Sequence, residues 1–413
     1  MFLFLKAKNM DSLKEALTKI LEVKDPWFIE KIDVHSGTKT VNVFINFEKD
    51  TKFCCSKCGI KSKVYDSSYR VWRHLDLCDY RCYLNIKMPR TRCSEHGIKV
   101  LSHHPFGRQS THYSFRLEEL IMTKAKTISI RAMSLELGEP DNNLWRVIHY
   151  YIQQGISSID CSGTTKVGVD EKAYKKGHNY VSVFTDSETG NVIYVCPGRD
   201  ESTFARFYEE LFNLCGDPNY IKQISMDMSK SYISGSQEYF TVAKIIFDKF
   251  HIKKALNEAV DKVRKKEVVY CEHLKKTKYI WLKNRENLTI EQKNKLAIFL
   301  EESTTDTAHA YKLKTAFDQL WRIQQNAIEP TLNQWLVMVE KTELKPMLSF
   351  AKTVINHFQG IVNSMKSLVT NALSEGLNSV FQLSKYRARG YRNVNNFISM
   401  IYLLGNDFKF SFH

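Results

Sequence analysis

The chain has 413 residues, room for about two to four domains and at least one sizeable core. Its 60 lysines and arginines against 45 acids leave a net charge of +15, which favours a polyanionic partner, nucleic acid ahead of an acidic membrane surface. No apolar run reaches the roughly eighteen residues of a membrane span, and the start MFLFLKAKNM lacks a signal peptide's basic head and cleavage site, so a cytoplasmic protein is expected.

Residues 1–49 form an N-terminal segment without a motif. Six of the ten cysteines then fall between Cys54 and Cys93. In a cytosolic chain such cysteines serve as thiols or metal ligands rather than disulfides. The informative pattern is Cys55-Ser-Lys-Cys58-Gly followed, after a gap, by Cys93-Ser-Glu-His96-Gly. Three thiolates and one imidazole complete a closed tetrahedral zinc shell, and a glycine after each pair suits the tight turn. Residues 50–105 therefore read as a zinc-ribbon-like module whose intervening segment alternates like short strands. Cys54, Cys78 and Cys82 leave a competing pair, Cys78-x-x-x-Cys82, open. Arg70, Arg90 and Arg92 interleave with Tyr69, Trp72 and Tyr83, a surface suited to phosphates or simply to solvent.

At 110–157 the period changes to that of helices. Phe115, Leu117, Leu120 and Ile121 share one face. Ser129 can cap a short helix ending at Gly138, and Pro140-Asp141 opens another. Helix, turn, helix is the outline of a DNA-reading hairpin. In that reading Asn142, Asn143 and Arg146 approach base edges.

Residues 160–267 read as βββαβαβα, an antiparallel meander followed by parallel alternation, the order found in the RNase H-like fold. In that order the first and fourth strands are neighbours, and Asp170 and Asp227 stand at or near their C-terminal ends. Two converging carboxylates repel unless a cation bridges them. Hard oxygens favour magnesium or manganese, and a pair of such ions supports phosphodiester displacement. Asp248 and His251, after the fifth strand, are second-tier neighbours. Glu171 and Asp200 are rivals, whereas Asp186 and Asp217 belong to turns.

From 268 to 365 the pattern is an all-helical insertion, with Trp281, Trp321 and Trp335 expected in its core. Residues 366–413 return to the sheet domain. Glu375 starts or shortly precedes a helix carrying Val380, Leu383 and Tyr386, with Lys385, Arg387, Arg389 and Arg392 beyond as candidate DNA contacts. Composition alone leaves Glu375 one glutamate among many.

These motifs, in this order, resemble those of bacterial insertion-sequence DDE transposases, in the subgroup with an N-terminal zinc-binding domain, a helix-turn-helix and a helical insertion. The matching stretches are Cys55-x-x-Cys58 with Arg92-Cys93, Val167-Gly168-Val169-Asp170-Glu171, Ser225-Met226-Asp227-Met228-Ser229, Asp248-Lys-Phe-His251, Asn371-Ala-Leu-Ser-Glu375-Gly376-Leu-Asn378, and Arg389-Gly390-Tyr391-Arg392-Asn393. His96 departs from the cysteine common at the second knuckle, and remains a competent zinc ligand. The resemblance implies Asp170, Asp227 and Glu375 as a catalytic triad holding two Mg2+ (or Mn2+) ions, beside one structural Zn2+. It also implies cleavage of double-stranded DNA at terminal inverted repeats, strand transfer into target DNA, a homodimer or higher oligomer, and a nucleoid-associated bacterial setting. An RNase H-like nuclease or resolvase without strand transfer, and a non-catalytic DNA-binding regulator, are the alternatives.

Overall fold

Two sheets organise the chain. The computed structural model describes residues 12–101, 104–177, 179–301, 305–367 and 372–412, with backbone alone for 372–375. It divides into two units, residues 1–151 with 409–413, and residues 152–408.

In the first unit a helix over 12–20 (α1) precedes six strands: β1 (Trp27–His35), β2 (Thr40–Phe47), β3 (Lys52–Cys54), β4 (Lys61–Arg73), β5 (Arg81–Cys93) and β6 (Gly97–Val100). The sheet runs β1-β2-β5-β4-β3, with β6 on β5. Side chains alternate across a strand. Thus β2 buries Val41, Val43 and Ile45 and β5 buries Cys82, Leu84, Ile86 and Met88, all in one core with Trp27, Trp72 and Phe106. Two expectations change here. The strands between the cysteine pairs are not short: β4 and β5 have 13 residues each and pair from Val64↔Thr91 to Arg73↔Tyr83. The boundary drawn at 49/50 cuts one sheet, because β2 pairs in parallel with β5, Val43 beside Leu84. The alternating apolar face of β2 must be covered, and β5 supplies its neighbour.

Three helices follow, α2 (Phe115–Ala125), α3 (Ile130–Leu137) and α4 (Asp141–Ser157). Ser114 and Ser129 cap α2 and α3 by accepting the Leu117 and Ala132 N–H groups. Gly138 ends α3 at φ 64°, the left-handed conformation glycine adopts freely. Glu118 on α2 is fully buried, held by Arg108 at 2.7 Å and by the Tyr151 hydroxyl at 2.7 Å.

The second unit carries β7 (Lys166–Lys175), β8 (Asn179–Asp186), β9 (Val192–Pro197), α5 (Ser202–Asn213), β10 (Gln223–Met226), α6 (Lys230–Tyr239), β11 (Lys244–Phe247) and α7 (Lys249–Glu267). The strand order is β11-β10-β7-β8-β9. β10 is parallel to both β7 and β11, while β7, β8 and β9 pair antiparallel. The first and fourth strands of this unit are neighbours, as the element order predicted. One detail differs: Asp170 is not at a strand end. β7 continues to Lys175 because β8 pairs with it that far, whereas its pairing with β10 runs only from Lys166 to Gly168.

Helices α8 (Lys278–Leu282), α9 (Ile290–Glu301), α10 (Asp306–Gln319), α11 (Gln325–Glu340), α12 (Lys345–Asn356) and α13 (Phe358–Lys366) fill the next segment. Trp281 and Trp335 are buried as expected, but in a cluster continuous with Val167 and Ile224 of the sheet and Phe207 of α5. Trp321 is only partly buried. α13 is part of the sheet's packing: Asn363 donates to the Ile245 carbonyl at 3.0 Å, and Gly360 lies against the Phe247 ring. α14 (Ala372–Arg387) and α15 (Val394–Gly405) complete the fold, with the Tyr402 hydroxyl accepting the Val195 N–H of β9 at 3.0 Å. On α14, the helix expected to carry Val380, Leu383 and Tyr386, Phe381 faces inward at 2% exposure, whereas those three are 41%, 47% and 82% exposed. Among the described residues no helix is long and apolar enough to cross a membrane.

Candidate functional site

The cysteine knuckles and the two aspartates form separate centres. At the first, Cys55 follows β3, Cys58 lies in the turn to β4, Cys93 ends β5 and His96 occupies the turn to β6. Gly59 and Gly97 close these turns at φ 73° and 67°, as the spacing predicted. The ligand atoms of Cys55, Cys58, Cys93 and His96 all lie within 4.8 Å of one another. Zinc–sulfur bonds of about 2.3 Å in a tetrahedron set neighbouring ligand atoms roughly 3.8 Å apart. The Cys58 and Cys93 sulfurs are 3.6 Å apart, and Cys93 Sγ is 3.8 Å from His96 Nδ1. The backbone N–H groups of Cys58 and Lys57 hold the Cys55 thiol down to about 7, towards the thiolate a metal needs. The competing pair does not assemble. Cys78 is exposed, and Cys82 lies in the β5 core, where burial pushes its thiol up to about 12. Cys54 is exposed and outside the cluster.

The second centre is a cavity of about 50 Å3 in the 152–408 unit, bordered by Asp170, Asp227, Asp248 and His251. β7 and β10 pair Gly168 with Ser225, and two residues further on stand Asp170, still within β7, and Asp227, just past the end of β10. Each acid is oriented by a nearby backbone N–H. Glu171 donates to Asp170 Oδ1 at 2.8 Å, Ser229 to Asp227 Oδ1 at 3.0 Å, and Phe250 to Asp248 Oδ1 at 2.7 Å. Such bonds fix the carboxylate plane. Asp227 and Asp248 stand just before α6 and α7.

Three neighbours went unread in the sequence. Lys172 pairs its ammonium with Asp170 Oδ2 and is itself buried. The period-two alternation of β7, which puts Asp170 and Lys172 on one face, was the available signal. Asn378 on α14 donates to Asp170 Oδ2 at 3.1 Å, and Phe381 one turn further borders the same cavity. Asn378 closes the quoted Asn371–Asn378 motif, where it was given no role, and no local pattern marks Phe381. Glu375 belongs to the first turns of α14, three residues before Asn378; its side chain lies outside the described residues.

The remaining candidates lie elsewhere. Glu171 pairs with Arg199 at 3.3 Å, Asp200 accepts the Ser202 N–H at 3.0 Å, Asp217 caps the turn Pro218–Tyr220, and buried Asp186 accepts the Glu188 and Thr189 N–H groups. Asn142 and Arg146 on α4 are exposed, while Asn143 is half-buried and bonds the Tyr113 hydroxyl. Arg387, Arg389 and Arg392 are exposed and Lys385 half-buried, around a turn whose Tyr391 N–H donates to the Tyr174 carbonyl on β7 at 3.1 Å.

The comparisons concern the family. Residues 167–401 match the ISL3-type family model described as a transposase, and residues 51–96 match that of the zinc finger of the IS204, IS1001, IS1096 and IS1165 transposases. The transposase for insertion sequence element IS1001 of Bordetella parapertussis is 25% identical over 363 residues, covering 84% of this chain and 87% of that protein. The transposase for insertion sequence element IS1557 of Mycobacterium tuberculosis (strain ATCC 25618 / H37Rv) is 22% identical over 384 residues, 84% of this chain and 85% of the relative. With its acid-lined sheet and its Cys3His finger both inside matched segments, the chain belongs to the ISL3 transposase family.

Proposed function

We propose that this chain is a DDE-type enzyme that cuts double-stranded DNA at transposon terminal inverted repeats and joins the freed 3′-OH ends to target DNA. The observation that carries the reading is the convergence of Asp170 and Asp227 from neighbouring parallel strands into one cavity that α14 reaches through Asn378. The strand order supports an RNase H-like catalytic core. Because Glu375 is on α14 one turn before Asn378, it is our third acid.

The donor set suits magnesium. These are hard carboxylate oxygens, and Asp170 already draws a cation, Lys172, to its Oδ2. Asp170, Asp227 and Glu375 would hold two Mg2+ ions, which supply activation of the attacking oxygen and charge stabilisation on the leaving one. The chain's part is positional. The Glu171 and Ser229 N–H groups fix one oxygen of each aspartate, and Asp170 Oδ2, held by Lys172 and Asn378, would be shared with the metal. Lys172 and Asn378 orient Asp170. Asp248, capping α7, and His251 complete the wall.

Asn142, Asn143 and Arg146 on a helix-turn-helix, with the finger held by one Zn2+, would read the terminal repeats, and Lys385, Arg387, Arg389 and Arg392 would contact the backbone. A homodimer or larger assembly would bring two ends together. Asp227→Asn, tested on labelled transposon ends, is expected to lose Mg2+-dependent cleavage by about a thousandfold or more while binding the ends as before. Wild-type cleavage by that variant would reject the triad. Joining of pre-cut ends to a target plasmid separates a transposase from a nuclease or resolvase.

A further inference from the structure

A second concavity lies in the same unit, within the helical segment. It encloses about 760 Å3 among α7, residues 283–286, α9 and α10. Eight lysines and arginines line it against two acids, Glu286 and Asp318. Both acids are already engaged, Glu286 by Arg322 at 2.9 Å and Asp318 by Lys253 at 3.1 Å. Lys249, Lys283, Arg285, Lys293 and Lys312 have no ion-pair partner among the described residues.

Trp321 forms part of the lining. The ammonium groups of Lys249 and Lys253 stand 5.2 and 5.6 Å from its ring centroid. Its indole Nε1 is buried and has no acceptor among the described residues. A buried donor left unanswered costs about 1–3 kcal/mol, and a ligand oxygen removes that cost. Crowded cations point the same way: burial and nearby Lys253 hold the Lys249 ammonium below its usual range. Solvated surface lysines would spread apart, whereas these converge from four chain segments on one hollow with a waiting N–H donor.

The hollow shares α7 with the acid cavity. Asp248 and His251 border the cavity, and Lys249 and Lys253 border the hollow. At about 100° per residue these pairs face different sides of the helix, so roughly 10 Å, one helix diameter, separates the sites. That span is about three nucleotides of rise along DNA.

We propose that this cleft binds the phosphodiester backbone of DNA flanking the scissile position. Its cations contact phosphate oxygens, and Trp321 Nε1–H donates to one of them. The proposal rests on the DNA-cutting reading above and gives the helical segment a part in it, holding the strand while the acids act. Free nucleotides and pyrophosphate share the phosphate chemistry, so the test must separate them from DNA.

The test uses the full chain, a short labelled duplex and magnesium-free buffer. Lys249→Ala with Lys293→Ala, both exposed positions, is expected to lower the slope of log affinity against log salt by about 1.8, two phosphate contacts' worth. Trp321→Phe is expected to weaken binding about fivefold with the slope unchanged, the effect of one hydrogen bond. Inorganic pyrophosphate at matched phosphate concentration should not displace the duplex. Wild-type affinity and slope in both variants would overturn the proposal, as would Trp321-dependent binding of pyrophosphate without Trp321-dependent binding of DNA. If Asp227-dependent cleavage survives such a result, only the cleft assignment falls.

Discussion

The two centres are built in opposite ways. The Cys3His cluster draws all its donors from two knuckles joined by the β4–β5 hairpin, so chain spacing does most of the work. The acid cavity draws on three strands and two helices, and Asn378 reaches Asp170 from 208 positions away. Removing one donor from the first should empty a preformed tetrahedron. Removing one from the second should alter charge while the sheet stands, because Val167, Ile224 and Phe207 hold it independently. Local centres are legible and fragile; distant ones are robust but hidden.

The largest effect should come at the cluster. Cys58→Ser is expected to lose the metal, whose binding contributes on the order of 10 kcal/mol in comparable fingers. Hydrogen exchange should then rise across 51–62 and 91–100 and stay unchanged across β7–β11. Loss of protection in β7–β11 would break the contrast.

Next is a pH effect within the first unit. Buried His74 bonds Ser114 Oγ at 2.7 Å, and burial, with Arg73 and Arg116 nearby, holds its imidazole at about 4. A folded value below the unfolded one means the unfolded chain takes up the proton first. This contribution to stability is therefore complete above about pH 6.5 and lost as pH falls towards 4, a total of about 3 kcal/mol. Comparing acid unfolding of wild type and His74→Gln isolates it from metal release. The variant should lose less stability between pH 6.5 and 4.5, and parallel curves would remove His74 from the account.

In the second unit, Gly360→Ala would drive a Cβ into the Phe247 ring and push α13 off β11. Overpacking of this kind costs about 1–3 kcal/mol. The second unit's thermal midpoint should fall while metal content stays constant. An unchanged midpoint would mean that α13 is not integral to the sheet's packing.

The smallest expected change sharpens the view of the acid cavity as a cation seat. Lys172→Met removes the cation beside Asp170, whose side chain is 37% exposed, so solvent limits the loss to about 1 kcal/mol. Added Mg2+ should raise the variant's midpoint more than the wild type's. Equal responses would separate Lys172 from metal binding.

How much could be read in advance follows from how far each feature depends on neighbours along the chain. Glycines after each knuckle, the Ser129 cap on α3 and the strand alternation between the knuckles are local consequences of side-chain and backbone preference. Strand lengths were not local: β4 and β5 run 13 residues because each has the other to bond. Which side of α14 is buried was not local either. Phe381 faces inward, and the exposed Val380, Leu383 and Tyr386 satisfy the same helical spacing.

The amino-acid order by itself determined the basic charge, the four metal donors, the element succession around Asp170 and Asp227, and a family resemblance through spaced motifs. It could do so because turns, caps and periodicities act over a few residues. Only tertiary structure decided that residues before 50 share the finger's sheet, that Lys172 and Asn378 meet on Asp170, and that cations from four segments gather beside Trp321. Those outcomes depend on which distant surfaces bury one another, a choice made by the whole core at once.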